Sequence, residues 1–260
     1  MTMPRRSILA GGLAGLLTGL FRPGKALAEE PAVPGIITPD DPRFDRFFAA
    51  REAAWATCGT VDENVIAYLI SPEFQGAPAW PTTRQAFRVV RPADSLIIAS
   101  DGLSDLFVDT SMQVAGFECE VYIESPDLAG AQFEEIRSSW QFELVETLAR
   151  NVADFGGIQT PIKQYGIFSM ELPAPKTMPA RWITERGSVG ALINVTVPGR
   201  PSFCQLGDAE IRLVALTLLL PDETEYVVAG GASTRAEIAQ RLIAAGTGLT
   251  SPANRRSVLA

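Results

Sequence analysis

Histidine is absent from the 260 residues, and with it go Ser-His-Asp and Cys-His catalysis and the usual ligands of catalytic zinc. Lysine is nearly absent: Lys25, Lys163 and Lys176 are the whole supply. The first lies in a segment expected to be removed and the others in loop-like surroundings, which leaves little for a Ser/Lys pair or a Schiff base. Cysteine occurs at 58, 119 and 204 only, without the close spacing of a metal knuckle or a redox CxxC. One disulfide with a thiol left over stays open, and spacing does not choose the pair. Long apolar runs are missing too, since the longest, residues 8–20, is about 13 residues against the roughly 20 needed to span a bilayer. Positive charge is scarce. The net charge is −8, and without the four basic residues of the first 28 the remainder carries 18 basic against 30 acidic side chains. Phosphate neutralisation therefore has no source, which argues against nucleic acid and for a neutral or basic partner.

What is present begins with an address. Arg5 and Arg6 stand directly before the apolar, glycine-rich run, and Ala26-Leu27-Ala28 offers a cleavage site before Glu29; this pattern predicts a twin-arginine-type signal peptide over residues 1–28. Export to the periplasm or the extracellular space follows, with no stable membrane insertion after cleavage. Residues 29–40 are rich in proline and lack periodicity, so they read as a linker. The folded domain is expected over residues 41–246. The tail at 247–260 is polar, lacks a period and is expected to be disordered.

Within the domain, Asp41-Pro42 opens a helix whose apolar face includes Phe44, Phe47, Phe48 and Trp55, with Gly59 as its stop. Residues 65–70 and 86–90 read as strands. From Leu96 to Ile98 and again from Phe117 to Glu124 the chain reads as a hairpin at the centre of the domain. Phe117, Cys119, Val121 and Ile123 alternate there with Glu118, Glu120, Tyr122 and Glu124, the period of a half-buried strand. Closely connected short strands favour an antiparallel or mixed sheet. A long helix is predicted over 132–155, on Phe133, Ile136, Trp140, Leu144, Leu148 and Val152, with Gly156-Gly157 as its end. Strands follow at 166–172, 189–197 and 211–220, the last apolar on both faces and hence central. A short helix from Pro221 and an amphipathic one over 233–245 complete the domain.

The candidate chemistry concentrates between the two strands of the hairpin. Asp101, Asp105 and Asp109 recur every four residues, but calcium loops place carboxylates two apart around a glycine, so no metal site is assigned. Asp and Ser bonding back to the backbone, with Gly102 at positive φ, is the plainer reading. Glu118, Glu120 and Glu124 read either as a solvated sheet face or as a docking strip for a basic partner. If the chain were an enzyme, carboxylates would have to act. The alternative is therefore a periplasmic hydrolase using a pair among Asp101, Asp105, Glu118 and Glu120. No spacing in the sequence demonstrates that pair, and no cofactor is implied.

Three segments in order, Gly102-Leu103-Ser104-Asp105-Leu106-Phe107, Gly116-Phe117-Glu118 with its alternating strand, and Trp140 through Glu143-Leu144 to Leu148-Ala149-Arg150-Asn151-Val152, resemble the Suppressor of fused domain family over roughly residues 45–230. The resemblance implies an α+β domain with a mixed, largely antiparallel sheet packed against helices, which binds other proteins and has no known catalysis. Animal members sequester a transcription factor, and bacterial members have been proposed as immunity proteins that neutralise toxins. The expected export and the missing second lobe set this chain apart from the animal proteins. By position Phe107 falls next to the family's partner-binding surface, which makes Asp105 and Phe107 interface candidates; with the loop after Asp101 and the adjoining acidic strand, the expected contact residues for another protein are Asp101, Asp105, Phe107, Glu118 and Glu120. The competing reading of Leu103 and Phe107 is that they anchor the turn to the core.

Overall fold

The computed structural model describes residues 2–3, 35–112, 114–207 and 209–260. Apart from Thr2 and Met3, the expected signal peptide and residues 29–34 of the linker lie outside them. The centre of the molecule is one mixed sheet: β1 (Thr2–Met3), β2 (Thr60–Ala67), β3 (Ala86–Arg91), β4 (Leu96–Asp101), β5 (Cys119–Ser125), β6 (Phe168–Pro173), β7 (Ser188–Ile193), β8 (Phe203–Leu206) and β9 (Ala209–Leu219). The spatial order is β1-β2-β3-β4-β5-β9-β7-β6, with β8 also on β9. Among the described residues only β5 and β9 run parallel; the other pairings there are antiparallel. The expected α+β class, with a mixed and largely antiparallel sheet, is therefore the one observed. β9 is long enough to pair with β5 along one edge while β8 and then β7 share the other.

Helices cover both faces. α1 (Arg43–Ala56) starts after Asp41, whose carboxylate accepts the Arg43 N–H at 2.9 Å. The predicted long helix is two: α2 (Phe133–Arg137) and α3 (Trp140–Asp154). Two serines break it. The Ser138 hydroxyl donates back to the Glu134 carbonyl at 2.7 Å, while the Ser139 oxygen accepts the Phe142 N–H at 3.1 Å as the cap of α3. Serine competing with the helix ladder in this way is what starts a new helix. α4 (Gln159–Tyr165) and β8 have no counterpart among the predicted elements, because each is short and weakly periodic. α5 (Pro221–Gly230) and α6 (Ala232–Ala244) stand where expected.

β5 corrects the half-buried reading, since all seven of its residues are buried. Cys119, Val121 and Ile123 join the core under α3. On the opposite face Tyr122 packs edge-on against Trp55 of α1, ring centroids 5.1 Å apart, in a second core shared with α5 and α6. The polar side of β5 is thus covered, and Glu120 and Glu124 face arginines instead of water.

The tail is likewise not disordered. Arg255 is buried, donates to both carboxylate oxygens of buried Glu223 at 2.6 Å and reaches the Leu218 carbonyl at 3.2 Å. Linker residue Ile37 is fully buried and exchanges backbone hydrogen bonds of 2.9 Å with Asp109 and Thr110.

Candidate functional site

The acidic residues singled out in the sequence divide into two groups. Asp101, Asp105 and Glu120 lie inside the molecule, 0%, 2% and 0% exposed, within a network built on arginines from α1 and β3. Arg51 sits one helical turn before Trp55 and so points at the same sheet face. Its Nε donates to Asp101 at 2.8 Å, and its Nη1 contacts Asp105 at 2.8 Å, Ser104 Oγ at 3.0 Å and Glu120 at 3.7 Å. Arg88 and Arg84 share the other Asp101 oxygen at 2.9 and 3.1 Å. Phe48 lies beneath both guanidinium groups, 4.4 Å from Arg88 and 5.1 Å from Arg84, a stacking that suits arginine and not lysine.

Glu120 ties this network to the backbone. Its two oxygens accept the N–H groups of Gly102, Leu103 and Ser104 at 3.1, 3.3 and 3.0 Å, together with the hydroxyls of Ser100 at 2.5 Å and Ser104 at 2.6 Å. Ser100 Oγ in turn accepts the Val121 N–H at 2.9 Å. The Gly-Leu-Ser-Asp turn is therefore folded around a carboxylate from the neighbouring strand. Gly102 has φ +149, and a Cβ there would stand 2.7 Å from the Arg84 carbonyl oxygen, so only glycine fits.

Electrostatics follow the geometry. Burial pushes Asp101 up, but Arg51, Arg88 and Arg84 outweigh it and hold the carboxyl at about 2. Burial would lower Arg51, yet Asp101, Asp105 and Glu120 together keep it firmly protonated. Asp105 moves the other way: burial, with Asp101 and Glu120 nearby, lifts its pKa despite Arg51. Asp101 and Glu120 accept hydrogen bonds from arginine, serine and backbone donors, whereas Asp105 Oδ1 faces Arg51 at 2.8 Å as an ion pair without a hydrogen bond. These three residues are also sealed from any partner, which corrects their assignment as contact residues. Asp109 is exposed and stands apart from them. Glu124 is buried as well, accepting from Arg200 at 2.6 and 2.7 Å and from Ser95 at 2.6 Å.

Glu118 and Phe107 belong to the second group. Glu118 is exposed and adopts φ +56, a left-handed conformation unusual outside glycine. It is over-determined there: its N–H donates to Ala115 at 2.7 Å, and its carbonyl accepts from Arg212 N at 3.0 Å and Gln159 Nε2 at 2.7 Å. Glu118 stands on the rim of a 570 Å³ groove between the β5 entry and the junction of α3 with α4. Phe117 and Phe168 contribute to its floor, Lys163 borders it, and Phe155 is 64% exposed at its edge. Phe107 is half-buried and meets Phe117 edge-on at 5.4 Å. It supports the groove floor and packs against the core, as the anchoring reading has it.

Sequence reasoning missed the arginines. The signal was available in Ala86-Phe87-Arg88-Val89-Val90, where one charge interrupts an apolar strand, and in Arg51 sharing a helix face with Trp55; such a charge needs a buried partner. The thiols form no disulfide. Cys119 and Cys204 are buried, which raises both pKa values, Cys204 to about 11, so neither is a ready nucleophile.

Comparison with protein-family models finds no match, and comparison with curated proteins finds none. Among solved structures the chain shares the α+β fold of Suppressor of fused. The crystal structure of the Sufu–Fu complex matches 84% of this chain and 93% of its own, at 14% identity and a TM-score of 0.51. Drosophila Suppressor of Fused aligns with 83% of this chain and 50% of its own, at 13% identity and a TM-score of 0.39, so the chain spans about half of that longer protein. At these identities the likeness establishes the fold.

Proposed function

We propose that the chain is a non-catalytic, exported module that binds another polypeptide stoichiometrically, sequestering it in the manner of an immunity protein. The observation that carries this reading is Glu118, held in a left-handed conformation at the exposed rim of a groove with an uncovered phenylalanine beside it. Strained backbone of this kind persists where surrounding structure enforces it and clusters at ligand-contacting sites. A groove that mixes aromatic surface with polar and charged side chains, as this one does, is an ordinary form of a protein contact, and an exposed aromatic is its usual anchor. The fold supports the same reading, because the similar Suppressor of fused structure was solved in complex with a second protein.

Glu118 and Phe155, supported from beneath by Phe107 and Phe117, form the contact surface in this proposal. Glu118→Arg and Phe155→Asp should each weaken capture of the native partner at least tenfold while leaving the thermal unfolding midpoint unchanged. Undiminished capture by both variants would refute the groove. Export belongs to the same proposal, and Arg5→Lys with Arg6→Lys should hold the precursor inside the cell. Normal export of that variant would refute the twin-arginine route.

A further inference from the structure

At one side of the sheet the outer edge of β2 is met, among the described residues, by the two-residue strand β1 alone, and that edge is dressed unevenly. Its first half carries a register shift between Val61 and Val65 opposite β3, with Asp62 and Glu63 in the irregular stretch. A bulge and like charges are the usual means of blunting an open edge. Its second half, from Val65 to Ala67, has neither. There Thr2 and Met3 pair antiparallel with Ile66 and Val65, so the edge already accepts a short strand. Just beyond, the turn after β2 exposes Leu69 (65%), Ile70 (60%) and Phe74 (73%). Three neighbouring apolar side chains this open mark a contact surface more than a packing accident.

We infer that the outer edge of β2 is a strand-accepting site for an extended segment of another polypeptide, bound antiparallel by backbone hydrogen bonds as an added strand. The inference rests on the reading of the chain as a protein-binding module but places this contact away from the Glu118 groove. Polarity fixes the ligand's order. An antiparallel strand meeting Val65–Ala67 directs its N-terminal residues toward Leu69, Ile70 and Phe74 and its C-terminal residues toward Asp62 and Glu63. The segment that fits is therefore apolar first and basic after. The chain's own beginning has this order, with Met1 and Met3 preceding Arg5 and Arg6. Loss of residues 1–28 on export would vacate the edge for the partner.

A labelled synthetic peptide of residues 1–8 tests this on the full chain. Thr2→Pro with Met3→Pro removes the strand's own N–H donors and should free the edge. The peptide should then bind at least tenfold more tightly than to the unsubstituted chain. It should slow amide exchange at those of Val65, Ile66 and Ala67 whose N–H points away from β3, and lose affinity several-fold in a Phe74→Asp background. Equal affinity for both chains, or no protection at those amides, would overturn the inference. Protection confined to the groove and abolished by Glu118→Arg would overturn it too, while leaving the protein-binding reading intact.

Discussion

Glu120 is the sharpest place to test whether the Gly-Leu-Ser-Asp turn is architecture or interface. Glu120→Ala would leave three backbone N–H groups, those of Gly102, Leu103 and Ser104, without an acceptor in a site closed to water. Each orphaned buried donor costs about 1–3 kcal/mol. Losing the anion also leaves Arg51 short of one of three balancing carboxylates. The sum falls within the roughly 5–15 kcal/mol that holds a whole domain together, so this variant should not fold. Glu120→Gln is the graded version. Its remaining carbonyl oxygen serves one set of donors, while its amide meets Ser100 and Leu103 donor to donor at the Oε2 position. One unsatisfied N–H and one lost charge give a penalty of about 2–4 kcal/mol. For a domain of this size that lowers the unfolding midpoint by roughly 5–15 °C. Differential scanning calorimetry with urea titration measures it. A Glu120→Gln variant within about 0.5 kcal/mol of the parent would refute the structural role, and a folded Glu120→Ala that has lost partner capture would return the residue to the interface.

Other positions in the same network respond differently. Asp101, with its carboxyl at about 2 against the ordinary 3.8, contributes stability that is complete above 3.8 and is lost as pH falls toward 2, about 2–3 kcal/mol by linkage. Asp105 has its pKa raised, so its contribution is complete below 3.8 and declines as pH rises through the raised value. Asp101→Asn should therefore cost several-fold more stability at pH 7 than Asp105→Asn. Unfolding curves between pH 2 and 8 showing the reverse ranking would contradict the assignment of charges. Arg255→Ala leaves Glu223 buried without its bidentate partner and should cost about 3–5 kcal/mol; protease resistance of residues 247–260 reports whether the tail detaches. Gly116 has φ +47, and a Cβ would stand 2.3 Å from the Leu103 carbonyl oxygen. Gly116→Ala should therefore lower the melting temperature by several degrees at roughly 2 kcal/mol or more of strain and displacement, and an unchanged melting temperature would count against the turn geometry.

Where periodicity was strong, the sequence reading and the structure agree. Residues 211–220, apolar on both faces, form the central β9, and 96–98 begin the buried β4. Agreement fails where one hydroxyl outweighs a hydrophobic stripe, as at Ser138 and Ser139, or where an element is too short to show a period, as in α4 and β8. Pattern reasoning also overlooked the tail. Its anchor is a single arginine whose partner lies 32 residues earlier in the chain, and composition reports nothing about such a pair.

The misplacement of the acidic residues has a more general cause. Alternation of apolar and charged side chains says that a strand has two different faces; it does not say that the charged face meets water. β5 shows the distinction, because Glu120 and Glu124 alternate as a solvated face would and yet each is closed over by an arginine from a distant segment. The arginines are the half of the pattern that a strand-by-strand reading cannot supply. Arg51 and Arg88 are 50 and 13 residues from Asp101 and are brought to it only when α1 and β3 close on β4. Glu118 escapes this enclosure because the backbone turns left-handed there, before the strand begins. Of the glutamates in this alternation, the one that stays exposed is thus the one outside the regular strand. A charge next to a break in an alternating run is therefore a better candidate for contact than any charge within it.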